Sequence, residues 1–307
     1  MKQILGIITV CLITFSAQAQ SLYSKAFGNK KNTPVIFIHG GPSGNSVQFE
    51  ETTSQKLADK GFYVVVYDRR GEGRSADENA QMTYNEAFED LNAIYKKYNL
   101  KTANLIGFSF GGLVTTLFSE KFPQKVTSII LVSSLISQQE TYDHILSSVK
   151  KIYAENKDSV KLKKVIDVEK LDKNSAEYRG ECFNLASENG YFKVARPDKE
   201  AKEIYKKYEA STLFQSNIRN KKSPGLFYKN ERRNNIDIKP VLKNLQKKKV
   251  KIYALYGKQD GIFSSAQLNA VKDITGERHF KFLNNCSHYL YADQQKAFLT
   301  HIENWLK

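Results

Sequence analysis

The ten residues from Ala103 to Gly112, Ala-Asn-Leu-Ile-Gly-Phe-Ser-Phe-Gly-Gly, constrain the fold of this chain more than any other stretch. Leu105 and Ile106 have strand character that ends at Gly107, and Leu113 to Glu120 reads as the start of a buried helix. Between them, Ser109 has a glycine two positions away on either side. A strand that turns straight into a helix holds its corner residue in strained backbone geometry, and flanking glycines let neighbouring backbone close in. Such a corner lifts the Ser109 hydroxyl above the sheet edge. It also aims the first helical N–H groups, starting with that of Phe110, at any oxyanion formed there. Small residues surround serines in ordinary turns too, so the strand before and the helix after are what single this serine out.

The surrounding sequence alternates in the same grammar. Val35 to Ile38 is a continuous apolar run, the mark of a strand buried on both faces, and it stops at His39-Gly40-Gly41-Pro42. Before it, Ser21 to Lys31 is expected to form one strand of a hairpin turning near Gly28-Asn29. Helical patterning over Phe49 to Lys60 leads to a second buried strand, Tyr63 to Tyr67, which exits into the glycine-rich turn Asp68 to Ser75. A helix over Tyr84 to Tyr98 carries Ala87, Leu91, Ile94, Tyr95 and Tyr98 at helical spacing, and Val126 to Val132 is the next strand. Strand and helix in alternation predict an α/β fold with a mostly parallel sheet and helices on both faces.

Beyond Ser134 the pattern changes. Residues 135–235 are rich in charge, poor in strand runs and mostly helical, as over Tyr142 to Tyr153 and Asp198 to Glu209, with breaks expected at Gly180, Gly190, Pro197 and Pro224-Gly225. Alternation resumes with Val250 to Tyr256, a helix near Ala266 to Val271, a strand from His279 to Leu283 and an amphipathic helix from Gln294 to Leu306. The organisation read from this is a core of residues 20–134 and 236–307, interrupted by a helical cap at 135–235 that lies over the strand ends where Ser109 sits.

Residues 1–19 read as an export signal. Lys2 supplies the positive end, Ile4 to Phe15 is apolar, and Ala17-Gln18-Ala19 is a small-x-small cleavage site that leaves Gln20 as the mature N-terminus. The run is shorter than the roughly 20 apolar residues of a membrane span. Cys11 lies within it and lacks the small residues that would precede a lipid-modified cysteine. A secreted or periplasmic protein with no stable membrane anchor is the expectation. The formal net charge of +15 loses one unit with Lys2. The lysines are scattered over helix faces (Lys96-Lys97, Lys163-Lys164, Lys206-Lys207, Lys247 to Lys249) without an aromatic–basic recognition motif, so a solvated basic surface is read in preference to a nucleic-acid partner. Cys182 and Cys286 are too few and too far apart for a disulfide framework, and buried or free thiols are favoured over a bridge.

A serine hydroxyl is a poor nucleophile at neutral pH and needs a base, which in turn needs an orienting group. On a core of this kind the acid and then the histidine follow the nucleophile, each in a loop after a strand. Asp260, in Tyr256-Gly-Lys-Gln-Asp260, and His288, in Asn284-Asn-Cys-Ser-His288, occupy those places. The other histidines do not: His279 begins a strand, His301 lies in the last helix, His144 falls in the insertion and His39 precedes the glycines. Asp260 before Gly261 is also an ordinary turn residue, and His288 alone could be a polar loop contact. Order and placement together turn the three into a catalytic set. His39-Gly40-Gly41-Pro42 fits an oxyanion loop in which the Gly41 N–H pairs with that of Phe110, and it would also serve as a plain tight turn. Asp68 to Ser75 reads as scaffolding around the elbow.

His39-Gly-Gly-Pro42, Asp68-Arg-Arg-Gly-x-Gly-Arg-Ser75, Gly107-x-Ser-x-Gly-Gly112, Asp260 and His288 together resemble the α/β-hydrolase superfamily, and within it the proline iminopeptidase-like branch of serine aminopeptidases. The resemblance covers Val35 to Val132 and Val250 to Lys307. It implies the triad Ser109, Asp260 and His288, a helical cap over the site, and release of an N-terminal residue, often proline, from peptides whose free amine is held by cap carboxylates. Other members hydrolyse esters or amides. Glu177, Glu181 and Glu188 are the cap carboxylates available for such an amine. The chain departs from the branch at Ser43 (usually glycine), at Phe110 (usually tryptophan) and in its short lead-in before Val35.

The expected activity is therefore an acyl-enzyme serine hydrolase that needs no metal or cofactor and releases N-terminal residues from short peptides. A carboxylesterase or amide hydrolase on the same triad is the alternative, and a non-catalytic ligand-binding homologue is the alternative outside enzymes. A carboxylate-nucleophile enzyme is disfavoured because position 109 is serine.

Overall fold

The computed structural model describes residues 22–307. Residues 1–19, read above as an export signal, and Cys11 within them lie outside the described residues. Seven strands form one sheet: β1 (Ser24–Phe27), β2 (Thr33–Ile38), β3 (Phe62–Tyr67), β4 (Ala103–Phe108), β5 (Val126–Val132), β6 (Lys251–Gly257) and β7 (Phe280–Leu283). Their order across the sheet is β1-β3-β2-β4-β5-β6-β7, parallel throughout except for β1.

The apolar runs are continuous because both faces of the sheet are buried. Along β2, Val35 and Phe37 enter one apolar cluster while Ile36 and Ile38 enter the other, and Ile130 and Val132 of β5 oppose Ile129 and Leu131 in the same way. This is the two-residue period of a strand read out twice. One face is covered by α1 (Val47–Phe49), α2 (Gln55–Asp59) and, at the C-terminus, α12 (Leu290–Asp293) and α13 (Gln295–Leu306), with Phe49, Leu57, Phe298 and Ile302 buried there. A π-helical stretch, Glu50–Ser54, joins α1 to α2. The other face carries α3 (Tyr84–Lys97) and α4 (Phe110–Lys121), and helices introduced below complete it.

The lead-in corrects one expectation. It turns at Gly28, where φ is +85°, but β1 does not pair with β2. It runs antiparallel to β3, with Ser24 opposite Tyr67 and Phe27 opposite Val64. Both edges of β2 are already taken by parallel partners, β3 and β4, so the open edge of β3 is where an added strand finds unpaired N–H and C=O groups.

Between β5 and β6 come α5 (Gln138–Glu155), α6 (Ser159–Val168), α7 (Ala176–Glu188), α8 (Lys199–Ala210), α9 (Ser223–Asn230) and α10 (Lys239–Lys247), and α11 (Ser265–Thr275) follows β6. The starts of these helices are written locally. Ser137, Asp158, Ser175 and Asp198 each accept from a backbone N–H in the first turn of the helix they precede. The neck of the segment is stitched where it leaves and rejoins the core: Gln138 N donates to Ile236 O at 3.0 Å and Ile238 N to Ile136 O at 2.8 Å. Leu242 and Leu245 of α10 and Leu268 and Val271 of α11 join the sheet face of α3 and α4. Tyr142, Val149, Tyr178 and Leu185 extend that same cluster into α5 and α7. Two expected breaks are not breaks. Gly180 lies inside α7, and Pro224 sits in the first turn of α9, where a missing N–H forfeits no helical bond.

Candidate active site

Ser109 stands at the corner between β4 and α4 with φ 53° and ψ −122°. A residue with a side chain in that region carries strain of about 1–3 kcal/mol, which persists only where the surroundings over-determine it. Here Ser109 N donates to Val132 O at 3.1 Å, while Ser109 O accepts from Gly112 N at 2.9 Å and Leu135 N at 3.1 Å. The second flanking glycine is required by close approach. A Cβ on Gly111 would lie 2.2 Å from Ile38 O and 2.6 Å from His39 O, so the end of β2 can pack against the elbow only because none is there.

Asp260 lies in the loop after β6 and His288 in the loop after β7, as the sequence order requires. His288 Nδ1 is 2.8 Å from Asp260 Oδ2, with both residues buried. A carboxylate only accepts, so Nδ1 carries the proton that faces Asp260, which leaves Nε2 as the ring nitrogen not engaged by that carboxylate. The imidazole packs against the Phe108 ring at 5.0 Å and the Phe192 ring at 5.2 Å between ring centroids. Ser109 and His288 line the same cavity, about 420 Å³ in volume. Among the described residues, no hydrogen bond joins Ser109 Oγ to His288 Nε2. Nucleophile–base bonds of this kind are often long before substrate arrives and tighten in the reacting complex.

Gly41 lines that cavity beside Ser109. Its loop is held from beneath by side chains that the sequence suggested only as scaffolding. Arg69 donates from Nη1 to His39 O at 2.7 Å, from Nη2 to Gly40 O at 2.8 Å and from Nε to Glu72 Oε2 at 2.7 Å. Glu72 Oε1 accepts from the amides of Ser43 and Gly44. Gly41 is fixed as glycine by this cradle, since a Cβ there would lie 2.6 Å from Arg69 Nη2. Ser43, in place of the usual glycine, sits at φ +80°. Phe110 opens α4, and its ring is stacked on Tyr84 at 5.8 Å and edge-on to Phe227 at 5.2 Å.

His39 belongs to this support. The Arg69 amide can only donate, and it reaches His39 Nε2 at 3.1 Å, so the ring proton sits on Nδ1 and faces Gly40 O at 2.7 Å. Burial, reinforced by the Arg69 cation, pushes the His39 pKa down to about 4 and keeps the ring neutral.

The three cap carboxylates expected to hold an amine are not at the cavity. Glu177 and Glu188 are exposed, and Glu181 and Glu188 pair with Lys164 at 3.7 Å and 3.0 Å. The α7 face that does line the cavity is Arg179, Phe183 and Ser187, spaced by four, with Phe192, Asn217 and Arg219 beyond it. Glu177, Glu181 and Glu188 fall on other faces of that helix, a phase that only packing against the core fixes. The spacing of Arg179, Phe183 and Ser187 was visible in the sequence, but nothing marked it as the inward side.

Two further contacts bind the helical segment between β5 and β6 to the loops of Asp260 and His288. Tyr191 O accepts from Gly261 N at 3.1 Å and from Ser287 Oγ at 2.9 Å, touching the acid loop and the histidine loop at once. Buried Asp293 on α12 accepts from Ser287 N at 2.9 Å through Oδ2 and from the Tyr205 hydroxyl of α8 at 2.7 Å through Oδ1. Burial pushes the Asp293 carboxyl up from its ordinary pKa. Cys182 and Cys286 are both free and buried, as the sequence favoured.

Among known families, the alpha/beta hydrolase fold family matches residues 33–295. A proline iminopeptidase of Arabidopsis thaliana is 28% identical over 131 residues, which span 41% of this chain and 33% of that protein. Across the first curated relatives the chain spans only 33% to 42% of their length. Among solved structures, a proline iminopeptidase-related protein from Thermus thermophilus aligns with a TM-score of 0.65 at 21% identity, covering 93% of this chain and 92% of that one. A carboxylesterase structure from Nitrososphaera gargenis aligns at 0.60 and 17% identity, covering 95% and 96%. At these identities the structural likeness speaks for the fold.

Proposed function

The chain belongs to the alpha/beta hydrolase fold family, and on that premise we propose that it is a serine hydrolase that cleaves ester or amide bonds through an acyl-enzyme on Ser109. The observation that carries this is the 2.8 Å contact of His288 Nδ1 with Asp260 Oδ2, behind a cavity wall that His288 shares with Ser109. In this reading His288 Nε2 takes the Ser109 proton as Oγ bonds to the substrate's carbonyl carbon. The Phe110 and Gly41 amides receive the oxyanion. His288 then protonates the leaving group as its bond to the acyl carbon breaks. Water, deprotonated by the same Nε2, releases the acid and restores Ser109.

Two specificities fit this machinery. Removal of an N-terminal residue is supported by the names of the curated relatives. Ester or amide hydrolysis without an amine anchor is supported by the cavity itself, which has no carboxylate on its walls among the described residues. Export through residues 1–19 is part of the proposal, supported by the Lys2, apolar-run and Ala17-Gln-Ala19 pattern. A fluorophosphonate probe should label the purified protein at Ser109 and leave Ser109→Ala unlabelled. Rates on a proline-β-naphthylamide against a p-nitrophenyl ester then separate the two specificities. A protein that neither labels nor turns over any of these would be the non-catalytic homologue.

A further inference from the structure

Arginines in this protein are paired when they are withdrawn from solvent. Arg69 meets Glu72, Arg70 meets Asp90 and Arg74 meets Asp68, each at 2.7 Å. Arg179 is the exception: among the described residues it alone is partly buried yet has no carboxylate within salt-bridge distance. Its guanidinium is nonetheless held in place, with Nη2 donating to Gly41 O at 3.0 Å and the group lying 4.9 Å over the Phe183 ring. A second cation, Arg219, reaches the same cavity and also has no ion-pair partner among the described residues. Among the described residues, no Asp or Glu lines that cavity. The carboxylate closest to the oxyanion loop, Glu72, is already engaged by Arg69 and by the Ser43 and Gly44 amides.

Two guanidinium groups without an ion-pair partner lining one cavity, in a chain of net charge +15, make it a receptor for an anion. Guanidinium donors match a carboxylate in pairs, and the field of the cavity concentrates anions beside Ser109. A free ammonium would meet repulsion there and find no counter-charge. Resting on the hydrolase reading above, we infer that the substrate is an ester or amide bearing a carboxylate, which Arg179 and Arg219 hold while Ser109 attacks. Arg179 thereby joins substrate recognition to the oxyanion loop, because the guanidinium that takes the anion also holds Gly41.

The test is the ratio of kcat/KM for charged and neutral members of matched pairs, at fixed low ionic strength, alongside fluorophosphonate labelling. Mono-p-nitrophenyl adipate against p-nitrophenyl hexanoate places the carboxylate on the acyl side. Para-acetoxybenzoate against para-acetoxybenzamide places it on the leaving side. The wild-type protein should favour the anionic member of at least one pair by about tenfold or more, the range of a charge-assisted hydrogen bond. Arg219→Gln, which removes an exposed side chain, and Arg179→Gln should each lower that ratio at least threefold, and Arg219→Glu should lower it further. A merely structural role would scale both members of a pair together and leave the ratio alone. Labelled Ser109 with a ratio of one or less in both pairs, or a ratio that all three variants leave unchanged, overturns the anion site while the hydrolase reading stands. Failure to label, with no turnover of any ester, overturns both.

Discussion

The hydroxyl of Tyr205 donates to Oδ1 of Asp293 across 2.7 Å, and so fastens α8 to the carboxylate whose other oxygen holds Ser287 N, one residue before His288. Removing the hydroxyl with the ring retained leaves a buried carboxylate oxygen without that donor. Tyr205→Phe should therefore lose about 1–3 kcal/mol of stability in urea unfolding. It should also lower kcat several-fold with little change in KM, because the histidine loop loses its brace while the cavity walls remain. Unchanged stability together with unchanged kcat would show the contact to be inert.

Ser109→Ala and His288→Ala should each lower turnover by about four to six orders of magnitude with the far-UV circular dichroism unchanged. Asp260→Asn should fall somewhat less, since the base survives but loses the acceptor that sets its tautomer. The Ser109→Ala/His288→Ala double variant should be little worse than either single one, because the residues act as a unit. Activity equal to wild type in any single variant would contradict the assignment.

His39 gives a pH dependence of known sign. Its folded pKa of about 4 lies below the ordinary value of 6.5, so between those limits the unfolded chain binds the proton that the folded one refuses. Stability from this group is complete above pH 6.5 and is lost as the pH falls toward 4, with a slope approaching about 1 kcal/mol per pH unit. Asp90 has its folded pKa raised to about 6 by burial. It works in the opposite direction, so the total curve understates the His39 slope. Comparing urea unfolding of wild type and His39→Gln at steps from pH 7 to 4.5 cancels the Asp90 contribution. The wild-type curve should fall more steeply, and parallel curves would refute a neutral buried His39.

Two glycines should respond in opposite directions to the same change. Gly111→Ala places a methyl 2.2 Å from Ile38 O, and the protein should be destabilised by several kcal/mol or fail to accumulate. Gly180→Ala places one where nothing lies within 4 Å, inside α7, and should stabilise by about 0.5–1 kcal/mol through helix propensity. Thermal unfolding of the two variants reads both signs.

Much of this was legible from residue order. Runs such as Val35 to Ile38 and Val126 to Val132 announce strands buried on both faces, and Ser109, Asp260 and His288 each follow such a run. The pairing of β1 was not legible, because a strand's neighbour depends on which edges others have already occupied. The inward side of α7 was not legible either. Glu177 and Arg179 are two residues apart in one helix, and composition gives no reason to turn the arginine rather than the glutamate toward the cavity of Ser109.

The sequence by itself determined the order of strands and helices, the glycine-bounded elbow and the succession of Ser109, Asp260 and His288 after their strands, because periodicity, turn chemistry and close-approach glycines act over a few neighbouring residues. Tertiary packing alone decided which cap side chains face the cavity, that Arg69 and Glu72 clamp the loop of Gly41, and that Tyr205 reaches Asp293. The clamps from Arg69 and Glu72 onto that loop span 28 to 30 positions and the Tyr205–Asp293 bond spans 88, and their geometry exists only once the apolar faces on both sides of the sheet have been buried together.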